Sequence, residues 1–272
     1  MKLPLLALLI VSSFSVCATL PQTPLEPVYH QLFNQRNDLA NSQLMDAWPR
    51  LNSEAQRQAW KEALDAVISR QCGKDLSTAV PAWLDDLTLT LMQRDMPLNR
   101  IYRITLSGKS PRHDLNVSLM LPDGRKAFAT MPVQYEAEGA FRVESEEFTQ
   151  PLSEGVYVLT VSGGGQQWRQ PLALQGVGGL TQIQLQDRAI TLHTPQVAPA
   201  CPRPWLEQSL LNRSDYNQIW WAKNDRLRLV PWPSKPVDSV WATVAIVSAE
   251  NRGSMAVRTE HRLAGPLATM KN

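Results

Sequence analysis

Residues 152–161 read Leu152-Ser153-Glu154-Gly155-Val156-Tyr157-Val158-Leu159-Thr160-Val161. A Glu-Gly turn signal opens the stretch, and the run after it is rich in β-branched and aromatic residues, the local chemistry of a strand leaving a tight turn. Upstream, Leu87, Leu89 and Leu91 alternate with Thr88 and Thr90, followed by strand-like runs at Ile101 to Leu106, Leu115 to Leu121, Lys126 to Val133 and Ala140 to Val143. Trp168 to Leu174 follows downstream. Turn chemistry separates the runs: Ser107-Gly108, Pro122-Asp123-Gly124, Glu138-Gly139, and Gly163-Gly164-Gly165. About seven short strands at regular spacing predict an immunoglobulin-like β-sandwich over residues 82–175.

The stretch 152–161 also resembles the strand opening of many bacterial immunoglobulin-like domains, a likeness that implies fold and not activity. Before Pro81 the period is helical. Leu25, Val28, Tyr29, Leu32 and Phe33 fall at helix spacing, and Leu44, Trp48 and Leu51 suggest a second short helix ending near Pro49. Ser53 with Gln56 forms a capping box before the stripe Ala55, Ala59, Trp60, Ala63, Leu64, Val67 and Ile68, and Gly73 is the expected stop. After the linker Gly176 to Gly179, a hairpin is predicted from Thr181–Leu185 and Ala189–Leu192, a short helix from Pro204 to Leu211, and a hairpin from Ser239–Ser248 and Met255–Leu263. The expected class is therefore α+β, with a helical segment 19–81, the sandwich 82–175 and a β-rich segment 176–272. Whether that last segment stands alone or completes the sandwich is left open by the pattern.

Residues 1–18 have the parts of a secretion signal: Lys2, an apolar run from Leu3 to Val11, and Val16-Cys17-Ala18, with a cut expected after Ala18. The run is too short for a stable membrane anchor. Acylation of Cys17 is the competing expectation, and the bulky Val16 before it argues against a lipoprotein cut. Periplasmic location follows, with a secreted product as the alternative. Cleavage leaves about 250 residues, enough for two or three domains. A hydrophobic content of 43% supports a full core, and a formal charge of +2 gives no sign of a nucleic-acid partner. No later stretch is long and apolar enough to span a membrane. Only Cys72 and Cys201 remain after cleavage, and in an oxidising compartment they are expected to pair. Two buried, unpaired thiols are the alternative.

Reactive chemistry is hard to find. Gly163-Gly164-Gly165 and Gly176-Val177-Gly178-Gly179 lack the Lys-Ser or Lys-Thr of a phosphate loop. His30, His113, His193 and His261 do not stand at metal-ligand spacing, so no metal or cofactor is expected. There is no Gly-x-Ser-x-Gly or penicillin-binding Ser-x-x-Lys. Asp85, Asp86, Glu144, Glu146 and Glu147 read as solvated charges, although a pair of carboxylates across a cleft would serve a glycosidase. The distinctive feature is tryptophan, nine in all, with Trp205, Trp220, Trp221, Trp232 and Trp241 late in the chain. Trp220 and Trp221 near Lys223, Arg226 and Arg228 suit an aromatic and basic binding face. Neighbours on a strand face opposite sides, so at most one of the two tryptophans belongs to the core there. Packing is the alternative for both.

Gln22-Thr23-Pro24-Leu25-Glu26-Pro27-Val28-Tyr29, the paired mature cysteines and the closing Ser248-Ala249-Glu250-Asn251-Arg252-Gly253-Ser254 together resemble a gammaproteobacterial periplasmic family classed as a domain of unknown function. The resemblance implies an envelope role and supplies no catalytic residues. The expected function is a non-enzymatic binding or adaptor protein of the envelope, linked to envelope stress, with an envelope protein or cell-wall glycan as partner and Trp220, Trp221, Arg226 and Arg228 as the surface. The alternatives are a cell-wall glycan or peptide hydrolase, marked by carboxylates converging in a cleft, and an adhesion or matrix subunit, marked by a sheet edge open to strand addition.

Overall fold

The computed structural model describes residues 23–128, 131–234 and 240–270; the expected secretion leader, residues 1–18, lies outside them. Three helices come first: α1 (Glu26–Phe33), α2 (Asn37–Ala47) and α3 (Glu54–Ser69). Ser53 caps α3 by accepting from the Gln56 N–H, while the Gln56 side chain turns back to accept from Asn52 N–H. Trp60, Ala63, Leu64, Val67 and Ile68 are the buried stripe of α3, whereas Ala55 stays exposed in the first turn. Trp60 donates to the Leu44 carbonyl at 2.9 Å, fixing α3 to α2.

Strands β1 (Asp85–Asp95), β2 (Arg100–Lys109), β3 (Asn116–Met120), β4 (Lys126–Ala127), β5 (Gln134–Tyr135), β6 (Ala140–Glu144), β7 (Gly155–Gly163) and β8 (Gln166–Leu174) follow. The later strands are β9 (Ile183–Gln186), β10 (Ala189–Leu192), β11 (Trp205–Asn212), β12 (Gln218–Asn224), β13 (Val240–Arg252) and β14 (Met255–Pro266). Of the strand expected at Lys126–Val133, the described residues pair at Lys126–Ala127; Phe128 has a left-handed backbone, φ 69°, and the next described strand is Gln134–Tyr135.

Sheet order places the sandwich. A four-stranded sheet, β4-β3-β7-β8, packs on the β1, β2 and β6 part of an eight-stranded sheet, β12-β11-β13-β14-β1-β2-β6-β5. On β7, Tyr157, Leu159 and Val161 point into that core, meeting Leu89, Leu91, Ile104, Leu106, Phe141 and Val143. Tyr157 donates to the Ser153 carbonyl at 2.6 Å, a corner bond of the kind that pins immunoglobulin-like sandwiches. The protein is thus α+β with an immunoglobulin-like sandwich. Its larger sheet does not end with the central segment, because β1 pairs in parallel with β14 from Thr88↔Ala256 to Asp95↔Leu263. A second core forms where the β9–β10 hairpin and the 225–234 loop cover Leu206, Leu210, Val244, Ile246 and Leu263.

One expected element is wrong. Pro204 to Leu211 is not a helix; Trp205–Asn212 is β11, paired with β13 from Trp205↔Val247 to Asn212↔Val240 and with β12 on its other side. Leu206 and Leu210 lie four apart and imitate helix spacing, but with Gln208 they also alternate inward on a strand, and the two flanking ladders decide between the periods.

The segments are tied together around Gly73. Cys72 is bonded to Cys201, a sequence separation of 129. Gly253 N–H donates to the Gly73 carbonyl at 2.9 Å, and the Asn251 side chain donates to the Cys72 carbonyl at 3.2 Å. Arg252, only 1% exposed, donates to the carbonyls of Ala173 and Asn251 and to Glu250. Helices, small sheet and large sheet therefore meet at one hydrogen-bonded knot.

Candidate functional site

The register sets the surface around β12. Ser209 faces Trp221 and Glu207 faces Lys223 across the β11–β12 ladder, so Trp221, Lys223, Glu207 and Trp205 share one face of the large sheet. Leu210 faces Trp220 and shares the opposite face, where Trp220 packs edge-on against Trp232 at 5.6 Å. Trp221 is 49% exposed. The predicted quartet is accordingly divided. Trp220 is half-buried, and Arg226 and Arg228 sit in the exposed loop after β12, where Asn224 bridges their backbones.

The cations placed against an aromatic ring are others: Lys223 Nζ lies 4.8 Å and Arg258 Cζ 5.7 Å from the Trp205 ring centre. Trp205 Nε1 donates to Glu207 at 2.7 Å. Sequence reasoning missed Trp205 and Arg258 as partners because 53 positions separate them and only the β11-β13-β14 order brings them to one face. Across the same face runs an ion-pair ladder, Arg94–Glu147–Arg103–Glu144–Arg142, with links of 2.6, 2.6 and 2.8 Å before the last. Burial pushes the Arg94 pKa down, against the opposing pull of Glu147. The carboxylates singled out as solvated charges are thus mostly ion-paired, Asp86 with Lys109 as well.

Strand β12 is an edge: among the described residues it pairs on one side only. The other edges are guarded differently. β4 and β5 are two residues long, and β8 carries Pro171 and leans on α2. β12 is seven residues long without proline, and Ile219 and the nearby Tyr216 are exposed beside it.

The four histidines lie apart. His113 packs at a tilt against Tyr135, ring centres 5.0 Å apart, and His261 is buried with Nδ1 accepting from Ile183 N–H at 3.2 Å and Nε2 3.3 Å from Asp95. Both ring nitrogens of His261 are engaged, so it clamps the β9 hairpin to the large sheet. Burial raises the Asp95 pKa, but hydrogen bonds from His261 and Arg100 outweigh this and hold it at about 2. The run Gly163-Gly164-Gly165 forms the β7–β8 turn, where the Arg112 side chain donates to the Gly163 carbonyl. Gly176 is held at φ 73°, where a Cβ would meet the Leu152 carbonyl at 2.3 Å.

Such an arrangement defines a disulfide-closed, helix-capped β-sheet protein with an aromatic edge. The chain belongs to the family described as protein of unknown function (DUF2861), which matches residues 20–268. No curated protein matches it. Among solved structures it is similar to the tandem Ig repeats of Dlar, at 8% identity over 67% of this chain and 100% of that one, with a TM-score of 0.28. It is also similar to the titin domains z1z2 in complex with telethonin, at 12% identity over 68% and 99%, with a TM-score of 0.22.

Proposed function

We propose that this is an exported binding or adaptor protein of the gammaproteobacterial envelope, released into the periplasm by cleavage after Ala18 and docking its partner at the β12 edge. The carrying observation is Trp221, an exposed aromatic on an edge strand whose outer backbone groups have no partner among the described residues. An incoming strand would gain main-chain hydrogen bonds, and Trp221 would give it an anchor. The Cys72–Cys201 bond favours an oxidising compartment. The edge favours an envelope protein over a glycan strand, since only a polypeptide continues the ladder.

The test is capture from envelope extract by the protein lacking residues 1–18, compared with its Trp221→Ala form. Loss of an anchor of about 2 kcal/mol is roughly a thirtyfold loss of affinity. Equal capture by both forms contradicts the edge assignment, and self-assembly into polymers would favour the matrix-subunit alternative.

A second reading, a cell-wall hydrolase, has one observation in its favour: Asp65 and Glu250 line one cleft. Glu250 is ion-paired to buried Arg252 and Asp65 accepts from Gln175. Release of soluble fragments from purified sacculi, abolished by Asp65→Asn, would establish it; no release from sacculi by the folded protein would remove it.

A further inference from the structure

Past Ile219, where the ladder with β11 slips by one residue, β12 runs regularly from Trp220 to Asn224, opposite Leu210 to Leu206. Its outer N–H and C=O groups have no strand partner among the described residues. An open edge of this kind recruits other strands unless something blunts it. The slip at Ile219 shortens the edge without closing it, and β12 holds no proline. Lys223, the one charged residue on the strand, is already turned toward Trp205 and Asp225.

The topology narrows what can fill this edge. Among the described residues, the other outer strands are β4 and β5, two residues each, β9 and β10, four each, and β8, which is interrupted by Pro171 and leans on α2. A head-to-tail chain of copies needs two different open edges of matching length, whereas a two-fold pair uses one edge twice. Such an axis also sets the two strands antiparallel. We infer that, given β12 as the docking edge, a second copy of this chain occupies it in the free protein, the two β12 strands pairing antiparallel about Ala222, and that an envelope partner displaces this copy.

Ala222 is the midpoint of the regular run Trp220–Asn224, so this register pairs all of it. On the open face Trp221 of each copy then stands opposite Lys223 of the other, and on the covered face Trp220 stands opposite Asn224. Lys223 already lies 4.8 Å from the Trp205 ring centre of its own chain, and the second copy's Trp221 gives it another aromatic neighbour. Like charges are kept apart: Lys223 does not meet Lys223, Asp225 falls opposite Ile219, and Arg226 and Arg228 run toward the 213–217 turn of the other copy, which carries Asp215 as well as Arg213. A contact made by so few residues is small, so the pair is expected to dissociate on dilution into folded monomers.

Sedimentation velocity of the protein lacking residues 1–18, over a roughly hundredfold dilution series, tests the pairing. A reversible monomer–dimer equilibrium is expected. Trp221→Lys sets a cation opposite Lys223 and is expected to weaken the dimer roughly tenfold or more, whereas Trp221→Glu sets a carboxylate there and is expected to stay within about threefold of wild type. Position 221 is about half exposed, so both variants are expected to melt like dilute wild-type protein. A monomer at every concentration, equal effects of the two substitutions, or growth past the dimer overturns the inference. A monomeric wild type that still captures an envelope protein through Trp221 removes the self-pairing and leaves the docking edge standing. The expected dimer, together with capture that ignores Trp221, supports the self-pairing and removes the docked partner.

Discussion

Trp220 and Trp221 are adjacent in sequence and opposite in environment. Strand alternation tells the reader that one faces each way. It does not tell which, because the cover over Trp220 is Trp232, brought back by a loop twelve residues later. Trp220→Ala is expected to cost up to about 3 kcal/mol of stability, seen as a lower melting temperature. Trp221→Ala is expected to leave melting within about 0.5 kcal/mol of wild type, since an exposed side chain forfeits little packing. Asp95 carries a pH signature. Its folded pKa of about 2 lies below the unfolded value of about 3.9, so its contribution is complete above the unfolded value and is lost as pH falls through the folded one. The expected size is on the order of 2 kcal/mol. Acid unfolding followed from pH about 5 to about 2 should show this loss in the wild type and a flatter profile in Asp95→Asn; parallel profiles would mean that the His261–Asp95–Arg100 cluster contributes no pH-dependent stability.

At the scale of elements, most of what is legible is local. The Ser53 cap, the apolar stripe of α3 and the β9–β10 turn are each written within a few residues. That turn places Asp187 and Arg188 at φ 50° and 68°, the pair of left-handed conformations a two-residue hairpin requires. What is not legible is set by neighbours. β11 imitates a helix until β12 and β13 flank it, and the tie between β1 and β14 leaves no local trace, since parallel partners lie far apart in sequence. The cleft is illegible for the same reason: Asp65 and Glu250 come from distant segments. Gly73 joins such segments at close range. Its φ is 70°, and a Cβ would stand 2.1 Å from the Asn251 carbonyl oxygen. Gly73→Ala is expected to lose more than about 2 kcal/mol by displacing the β13–β14 turn from the helices, readable in chemical denaturation.

For the whole molecule, the Cys72–Cys201 bond closes a loop containing the sandwich, and the hydrogen-bonded knot around Gly73 and Arg252 lies beside it. In the chain-entropy description, closing 129 positions adds about 4–5 kcal/mol, so reduction should lower the unfolding midpoint strongly. Thiol labelling in denaturant without reductant should find no free thiol in the exported chain; two per chain would remove both the bond and its support for an oxidising compartment. The proposal of a periplasmic binder rests most heavily on β12 as a docking edge. The direct measurement is site-specific photo-crosslinking in living envelopes, with the reactive side chain placed at Trp221 and, as a control, at Leu98, which is 98% exposed far from the edge. A discrete covalent adduct from position 221 that is absent from position 98 is the expected result. Adducts equal at the two positions, or none at 221 from a folded and exported protein, would contradict it.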